Sequence, residues 1–313
     1  IFPSIEDFKL MRTDNEAALR FLFDWKNPDS RCPRCEDHKK FYPLSGRPKC
    51  MQCGSCGYQI YPAVGTIMEG SKLSIGGWIE MMMAISYLNC NQQSFAAYSQ
   101  ISEPTAVRVM QVLRYLMYID IDSLVLGGRR WVESDEHYHG PEADMKNDKQ
   151  KGNSHWNKIN FLGLVERKKQ QGTIQQGSLV IKVLPNLTRK EYMRIINKHV
   201  VKGSRIFTDK GNGFKDLTKN GYKHNQYSLR GGAYHANTQE TIWRHLENFL
   251  SGQHLWISHY YMPLYLAEYC FKYNRKSNRD DVFYDLLRLA LRTKPINEEI
   301  LGSFEVPDFR RGK

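Results

Sequence analysis

The chain has 313 residues, of which 41% are hydrophobic, enough for two or three packed domains and too many for a disordered chain. Forty-five Lys and Arg against thirty-three Asp and Glu give a net charge of +12, which favours polyanionic partners and puts nucleic acid first. No apolar run approaches the length of a bilayer span, the richest being Met81 to Leu88, so a membrane partner is not expected.

The opening Ile1-Phe2-Pro3 lacks both Met and the basic-then-apolar signature of a secretory leader, so the start is expected to be trimmed rather than targeted. The location expected is cytoplasmic, on the nucleoid, in a bacterium, or nuclear in a eukaryote. The first 28 residues read as one short helix capped by Asp14 or Asn15, with Ala17, Leu19, Phe21, Leu22 and Trp25 as its apolar face.

From Arg31 to Gly65 the sequence is dense in Gly, Pro, Tyr and Cys and has no helical period, as expected of short β-ribbons held by a metal. Five of the seven cysteines fall here, a use that suits metal binding in a reducing compartment better than disulfides. Cys32-Pro33-Arg34-Cys35 and Cys53-Gly54-Ser55-Cys56 make two CxxC knuckles with seventeen residues between them, the spacing that closes a tetrahedral thiolate site for structural Zn2+. Cys50 forms a rival CxxC pair with Cys53, but Gly57-Tyr58-Gln59 after Cys56 turns the chain out of a knuckle, which favours Cys32, Cys35, Cys53 and Cys56. Cys90 and Cys270 sit alone in apolar helical surroundings and read as small buried hydrophobes.

Between Ile75 and Tyr118 the apolar residues follow a helical period, which implies three helices. Ser102 as N-cap and Pro104 in the first helical turn place a short turn before the last one, the layout of a helix-turn-helix. In that layout the helix from Thr105 enters the major groove with Thr105, Arg108 and Gln111 pointing outward. Arg129, Arg130, Trp156 and Lys158 are candidates for added backbone contacts.

After Gly127-Gly128, strands are expected at Trp131 to Tyr138, Ile159 to Val165, Leu179 to Val183 and Arg205 to Thr208, with a helix from Arg189 to His199. Gly140 to Ser154 reads as a mobile polar loop. Helices follow at Thr238 to Leu250 and Tyr261 to Tyr273.

Three acids stand where carboxylates can hold metal. Asp135 lies late in a strand, and Asp209 ends an apolar strand that runs into Lys210-Gly211-Asn212-Gly213. Glu240 lies on a helix whose periodicity puts Asn237, Glu240, Arg244 and Glu247 on one face and Ile242, Leu246 and Phe249 on the other. Two strand aspartates and a helix carboxylate suit a pair of Mg2+ or Mn2+ ions that activate and stabilise the two oxygens of a phosphodiester exchange. Glu133 and Glu136 read as solvated, and Glu247 as a partner for Arg244.

Four segments, Val132-Glu133-Ser134-Asp135-Glu136-His137-Tyr138, Phe207-Thr208-Asp209, His235-Ala236-Asn237-Thr238-Gln239-Glu240-Thr241-Ile242-Trp243 and Phe271-Lys272-Tyr273-Asn274-Arg275, stand in an order that resembles the zinc-ribbon insertion-sequence transposases of the ISXO2-like group, relatives of the Merlin elements. The resemblance runs from about Phe2 to about Lys276. It implies an α/β, RNase H-like catalytic domain with a mixed sheet, preceded by the ribbon and a helical domain, and a DDE triad of Asp135, Asp209 and Glu240. Asn237 is the rival third ligand. Relatives often carry a Lys seven residues after the Glu, facing DNA phosphate, where this chain has Glu247. Gly140-Pro141 stands where they tend to have two glycines.

The organisation expected is a helix and zinc ribbon over 1–70, a helix-turn-helix region over 71–122, the catalytic domain over 123–276 and a C-terminal extension over 277–313 that closes on a basic Arg310-Arg311-Gly312-Lys313 end. The function expected is a DNA transposase that binds element ends, cleaves with two metal ions and joins the 3′ end to target DNA. Its partners would be double-stranded DNA and further copies of itself, as a homodimer or larger assembly. Arg244 joins Thr105, Arg108 and Gln111 as a DNA contact. The alternative is an inactive or domesticated descendant that only binds DNA.

Overall fold

The structure, a computed structural model, describes residues 10, 11, 13–37, 40–88, 91–140, 158–170, 173–226, 237–253 and 257–302. Most of the expected polar loop after Gly140, together with Cys90, Trp156 and the Arg310 to Lys313 end, lies outside the described residues. The chain divides into two compact units: residues 1–116 with 278–303, and residues 117–277 with 304–313.

In the first unit, helix α1 (Asn15–Lys26) starts where Asp14 accepts hydrogen bonds from the Glu16 and Ala17 amides, which satisfies donors that a helix start leaves open. Its buried residues are Ala18, Leu19, Leu22 and Phe23, and the Phe23 ring lies 4.6 Å from that of Phe41. Strands β1 (Phe41–Leu44), β2 (Arg47–Cys53) and β3 (Gln59–Ile60) form the small antiparallel sheet of the ribbon. Helix α2 (Ile75–Met83) is capped by Ser74 and continues into a π-helical turn over Ala84–Leu88. Helices α3 (Gln92–Ser99) and α4 (Glu103–Asp122) follow, joined by a short turn with Gln100 in the left-handed region at φ 53°.

Two helices from the far end of the chain, here numbered α8 (Arg279–Arg292) and α9 (Glu298–Gly302), belong to this same unit. Val282, Phe283, Leu286, Leu287 and Ala290 of α8 are buried, Tyr284 stacks on Trp25 at 5.4 Å, and the Tyr87 hydroxyl donates to Asp280 at 2.7 Å.

The second unit is built on a mixed five-stranded sheet in the order β6-β5-β4-β7-β8. Strands β4 (Trp131–His139), β5 (Ile159–Gln170) and β6 (Thr173–Leu184) run antiparallel to one another, whereas β7 (Arg205–Thr208) and β8 (Lys223–Gln226) continue from β4 in parallel. Between β6 and β7 the chain forms α5 (Arg189–His199), and after β8 it forms α6 (Asn237–Gln253) and α7 (Met262–Asn274).

Adjacent strand residues face opposite sides of a sheet, and β4 shows both faces in use: Asp135 meets Trp243 of α6, while Glu136 meets Tyr192 of α5. The core under α5 gathers Tyr192, Ile195 and Ile196, and that under α6 and α7 gathers Ile242, Leu246, Leu266 and Phe271, all buried.

Candidate metal centres

The ribbon brings its four knuckle cysteines together from two short turns. Cys32, Cys35, Cys53 and Cys56 place their sulfurs within 4.8 Å of one another. The Cys32–Cys56 and Cys35–Cys53 separations are 3.7 and 3.8 Å. A tetrahedron with Zn–S bonds of about 2.3 Å has edges of about 3.8 Å, so the thiols already stand at the corners a zinc ion needs. Backbone N–H groups of Cys56 and Ser55 point at the Cys53 sulfur and pull its thiol down to about 6, toward the thiolate that binds metal. Cys50 is turned away and buried, with its thiol toward the Met51 carbonyl, so Cys53 is the fourth corner. Cys270 is a buried free thiol whose pKa burial pushes up to about 12, as a core hydrophobe.

The second centre lies where β4 and β7 run side by side. Their register pairs Val132 with Ile206 and Glu133 with Phe207, and two residues further along each chain stand Asp135 and Asp209, close enough for their charges to interact. Asp135 is half-buried; burial raises its pKa, the Trp243 indole pulls it back, and the neighbouring charge of Asp209 raises it again. Asp209 is exposed and accepts the Gly211 amide at 2.8 Å. A side chain at Gly211 would stand 2.9 Å from that Asp209 oxygen and 3.3 Å from a Glu136 oxygen, so glycine is what lets the turn pass between two carboxylates.

Glu136, which sequence reading treats as solvated, is half-buried under the Tyr192 hydroxyl at 3.0 Å. Burial pushes it up to about 7; the tyrosine hydrogen bond works against that shift, and the charges of Asp209 and Asp135 add to it. Glu133 is not solvated either: it is buried in an ion pair with Arg167, itself buried, and loss of water raises it to about 7 despite the arginine.

Glu240 is exposed at the start of α6, with no hydrogen bond or ion pair to a described residue. Among the described residues the cysteine cluster is the group whose ligand atoms converge within 4.8 Å, so Asp135, Asp209 and Glu240 are not drawn together that closely. The side chain of Asn237, the rival third ligand, lies outside the described residues.

A ladder of side chains joins α6 to β4. The Gln239 amide donates to the Glu133 carbonyl at 3.2 Å, the Trp243 indole N–H to Asp135 at 3.0 Å, and Glu247 accepts from His137 at 2.7 Å and from His139 at 2.9 Å. Four helical residues advance about 6.0 Å and two strand residues about 6.6 Å, which is why positions 239, 243 and 247 keep step with 133, 135 and 137. Glu247 therefore does not pair with Arg244, which is exposed. The carboxylate is half-buried, and burial alone would raise its pKa, but the hydrogen bonds from His137 and His139 hold it down at about 2.

These partners are legible only as two superposed periods, polar residues at every second position from Glu133 to His139 and hydrogen-bonding ones, the Trp243 indole among them, at every fourth from Gln239 to Glu247. Neither period by itself says that the two elements touch.

On α4 the expected DNA contacts are partly engaged. The Thr105 hydroxyl lies 2.8 Å from that of Ser102, and Arg108, half-buried, donates to the Ile296 carbonyl at 2.7 Å. Gln111 is half-buried. No helix among the described residues is long and apolar enough to cross a membrane.

No curated protein matches the chain. Residues 125–274 match the family model of the ISXO2-like transposase domain. That stretch supplies every strand of the five-stranded sheet and all of Asp135, Asp209 and Glu240. Over residues 125–274 the chain is thus similar to the ISXO2-like transposase domain, there with a mixed α/β fold, and ahead of it stands a four-cysteine cluster that fits a zinc ribbon.

Proposed function

We propose that this transposase recognises the terminal repeats of its own element through the ribbon and the helix-turn-helix, cleaves DNA there with two divalent cations, and joins the freed 3′ end to target DNA. The observation that carries the reading is that Asp135 and Asp209 follow two residues after the last paired residues of two parallel strands and lie close enough for the charge of one to act on the other. Like charges set side by side destabilise a sheet, and such a pair is retained where a cation is to be bound between them.

The donors are hard oxygens, the kind that Mg2+ and Mn2+ take, and Glu240, with Asn237 as its rival, is the proposed third ligand. Bound there, the cations would supply Lewis-acid activation of the attacking oxygen and charge neutralisation at the leaving one. The chain's own residues fix two of the ligands beforehand: the Trp243 indole holds one oxygen of Asp135 and the Gly211 amide one oxygen of Asp209.

Thr105, Arg108 and Gln111 remain the proposed base- or phosphate-reading set on α4, Arg108 having donors left after its bond to Ile296. Exposed Arg244 is a proposed phosphate contact on α6. Handling two element ends calls for a homodimer or a larger assembly.

The test is to incubate the protein and its Asp135→Ala variant with Mg2+ and a DNA fragment bearing the element end, then map new 3′ termini. Cleavage at the end by the unaltered protein alone is expected. Tight binding with no cleavage in Mg2+ or Mn2+ would leave a DNA-binding relic instead.

A further inference from the structure

The ladder between α6 and β4 includes groups that no step above uses. Trp243 donates its only polar hydrogen to Oδ2 of Asp135, and an indole N–H can donate but never accept. It therefore selects one oxygen of the carboxylate and leaves the other for a ligand.

The indole in turn is fixed on two sides. On one, Gly163 stands directly across β5 from Asp135, and a side chain there would come within 2.6 Å of the indole ring. On the other, the His137 ring stacks on it at 4.9 Å and 12°. His137 is itself fastened by Glu247, which His139 grips from the second side. The two histidines and the glutamate are not a chelating set, because their ligand atoms do not all fall within 4.8 Å of one another. They form a clasp, with the carboxylate between the rings.

We infer that Trp243 is a positioning residue for Asp135, and that Glu247, through His137, braces Trp243 so that the carboxylate is presented in one orientation to the incoming cation. This rests on the reading of Asp135 as a metal ligand. It gives Glu247 a purpose within the fold: the position serves the strand beneath.

The test is a Mn2+ titration of the full-length, zinc-loaded protein followed by the electron paramagnetic resonance of free Mn2+, with thermal melting as a control. The proteins compared are the unaltered chain, Trp243→Phe, Glu247→Ala, the double variant and Asp135→Ala. Trp243→Phe keeps an aromatic ring beside His137 but removes the indole N–H with part of the ring, and is expected to weaken Mn2+ binding by about 10- to 100-fold, the range for groups that orient metal ligands, with melting temperature reporting any loss of packing. Glu247→Ala is expected to weaken it by a smaller factor, about 3- to 10-fold, with little change in melting temperature.

Because Glu247 acts through Trp243, the double variant should bind no worse than Trp243→Phe alone. Unchanged Mn2+ affinity in both single variants, or losses that multiply in the double one, would overturn the inference. Should Trp243→Phe fail to fold, the cycle of Glu247→Ala with His137→Ala takes its place: each is expected to weaken binding, and together no more than the worse of the two. Multiplying or absent losses overturn it equally. Asp135→Ala separates the two levels. If it binds Mn2+ as the unaltered chain does, the reading of Asp135 as a ligand fails and the inference with it; if it loses Mn2+ while Trp243→Phe does not, only the positioning role falls.

Discussion

The four-cysteine cluster and the acidic centre are both candidate metal sites, yet they are assembled in opposite ways. Each cysteine pair comes from one tight turn, and the two turns are seventeen residues apart. The sulfurs stand at tetrahedral separations without help from distant parts of the chain. The acids come from β4, from the residue just after β7, seventy-four positions later, and from α6, and the aspartates come close only because β4 and β7 lie side by side. The ribbon is closed and suits a resident ion. The acidic centre is open on one side, with Asp209 and Glu240 exposed, and suits ions that arrive with a phosphodiester.

The sharpest way to break this comparison is to remove the metal from the closed site. Cys32→Ser or Cys53→Ser should abolish zinc in elemental analysis of the purified protein and unfold the ribbon, since structural zinc contributes on the order of 10 kcal/mol to such modules. Cys50→Ser should retain one zinc per chain. Zinc lost on changing Cys50 and kept on changing Cys53 would exchange their roles.

A second prediction concerns what holds the acidic strand without metal. Arg167→Met leaves Glu133 buried and unpaired, and should destabilise the protein by about 3–5 kcal/mol in urea titration. A loss below about 1 kcal/mol would mean that Glu133 finds water or takes up a proton without penalty.

The pH response should also come from the second unit. His199 is buried beneath Leu124, whose carbonyl takes its Nδ1 hydrogen, and burial lowers its pKa from 6.5 to about 4. A histidine that is neutral when folded adds stability above its unfolded pKa and loses it as pH falls toward the folded one. The change between pH 7 and pH 4 is ~3 kcal/mol at most. Melting temperatures of the unaltered chain and His199→Gln should therefore converge as pH falls from 7 toward 4, and parallel curves would exclude His199 as the cause.

Two smaller effects sharpen the same contrast. Gly163→Ala should lower stability by about 1–3 kcal/mol, because the new methyl meets the Trp243 ring. Asp209→Asn should raise metal-free stability by up to about 1 kcal/mol, by relieving the charge set beside Asp135, and the gain should vanish in excess Mg2+. A destabilised Asp209→Asn would show that the Gly211 turn depends on the charge more than the sheet suffers from it.

Much of the chain is legible in its sequence where the physics is local. The α5 limits and the β7 limits follow from periodicity, the start of α1 from its Asp14 cap, and the ribbon from two CxxC knuckles. Strand ends and a helix face make Asp135, Asp209 and Glu240 candidates, and their choice as a set rests on the family resemblance. Strand β8 escaped, since Lys-His-Asn-Gln has no apolar alternation and pairs only because β7 offers a parallel edge. Sequence alone gives residues 277–313 only as an extension, because a periodic face such as that of α8 does not say which distant unit will bury it.

What the sequence determined by itself, then, is every feature whose partners lie within a turn or two: helix caps, strand runs and the thiolate corners. Tertiary structure alone decided that Glu133 is buried against Arg167, that Glu136 stands at the centre, and that Glu247 is clasped by His137 and His139 while its helix presents Trp243 to Asp135. The reason is one of range. Backbone and capping preferences act between near neighbours, whereas the surroundings of a buried charge are set by whichever strand or helix the fold lays against it.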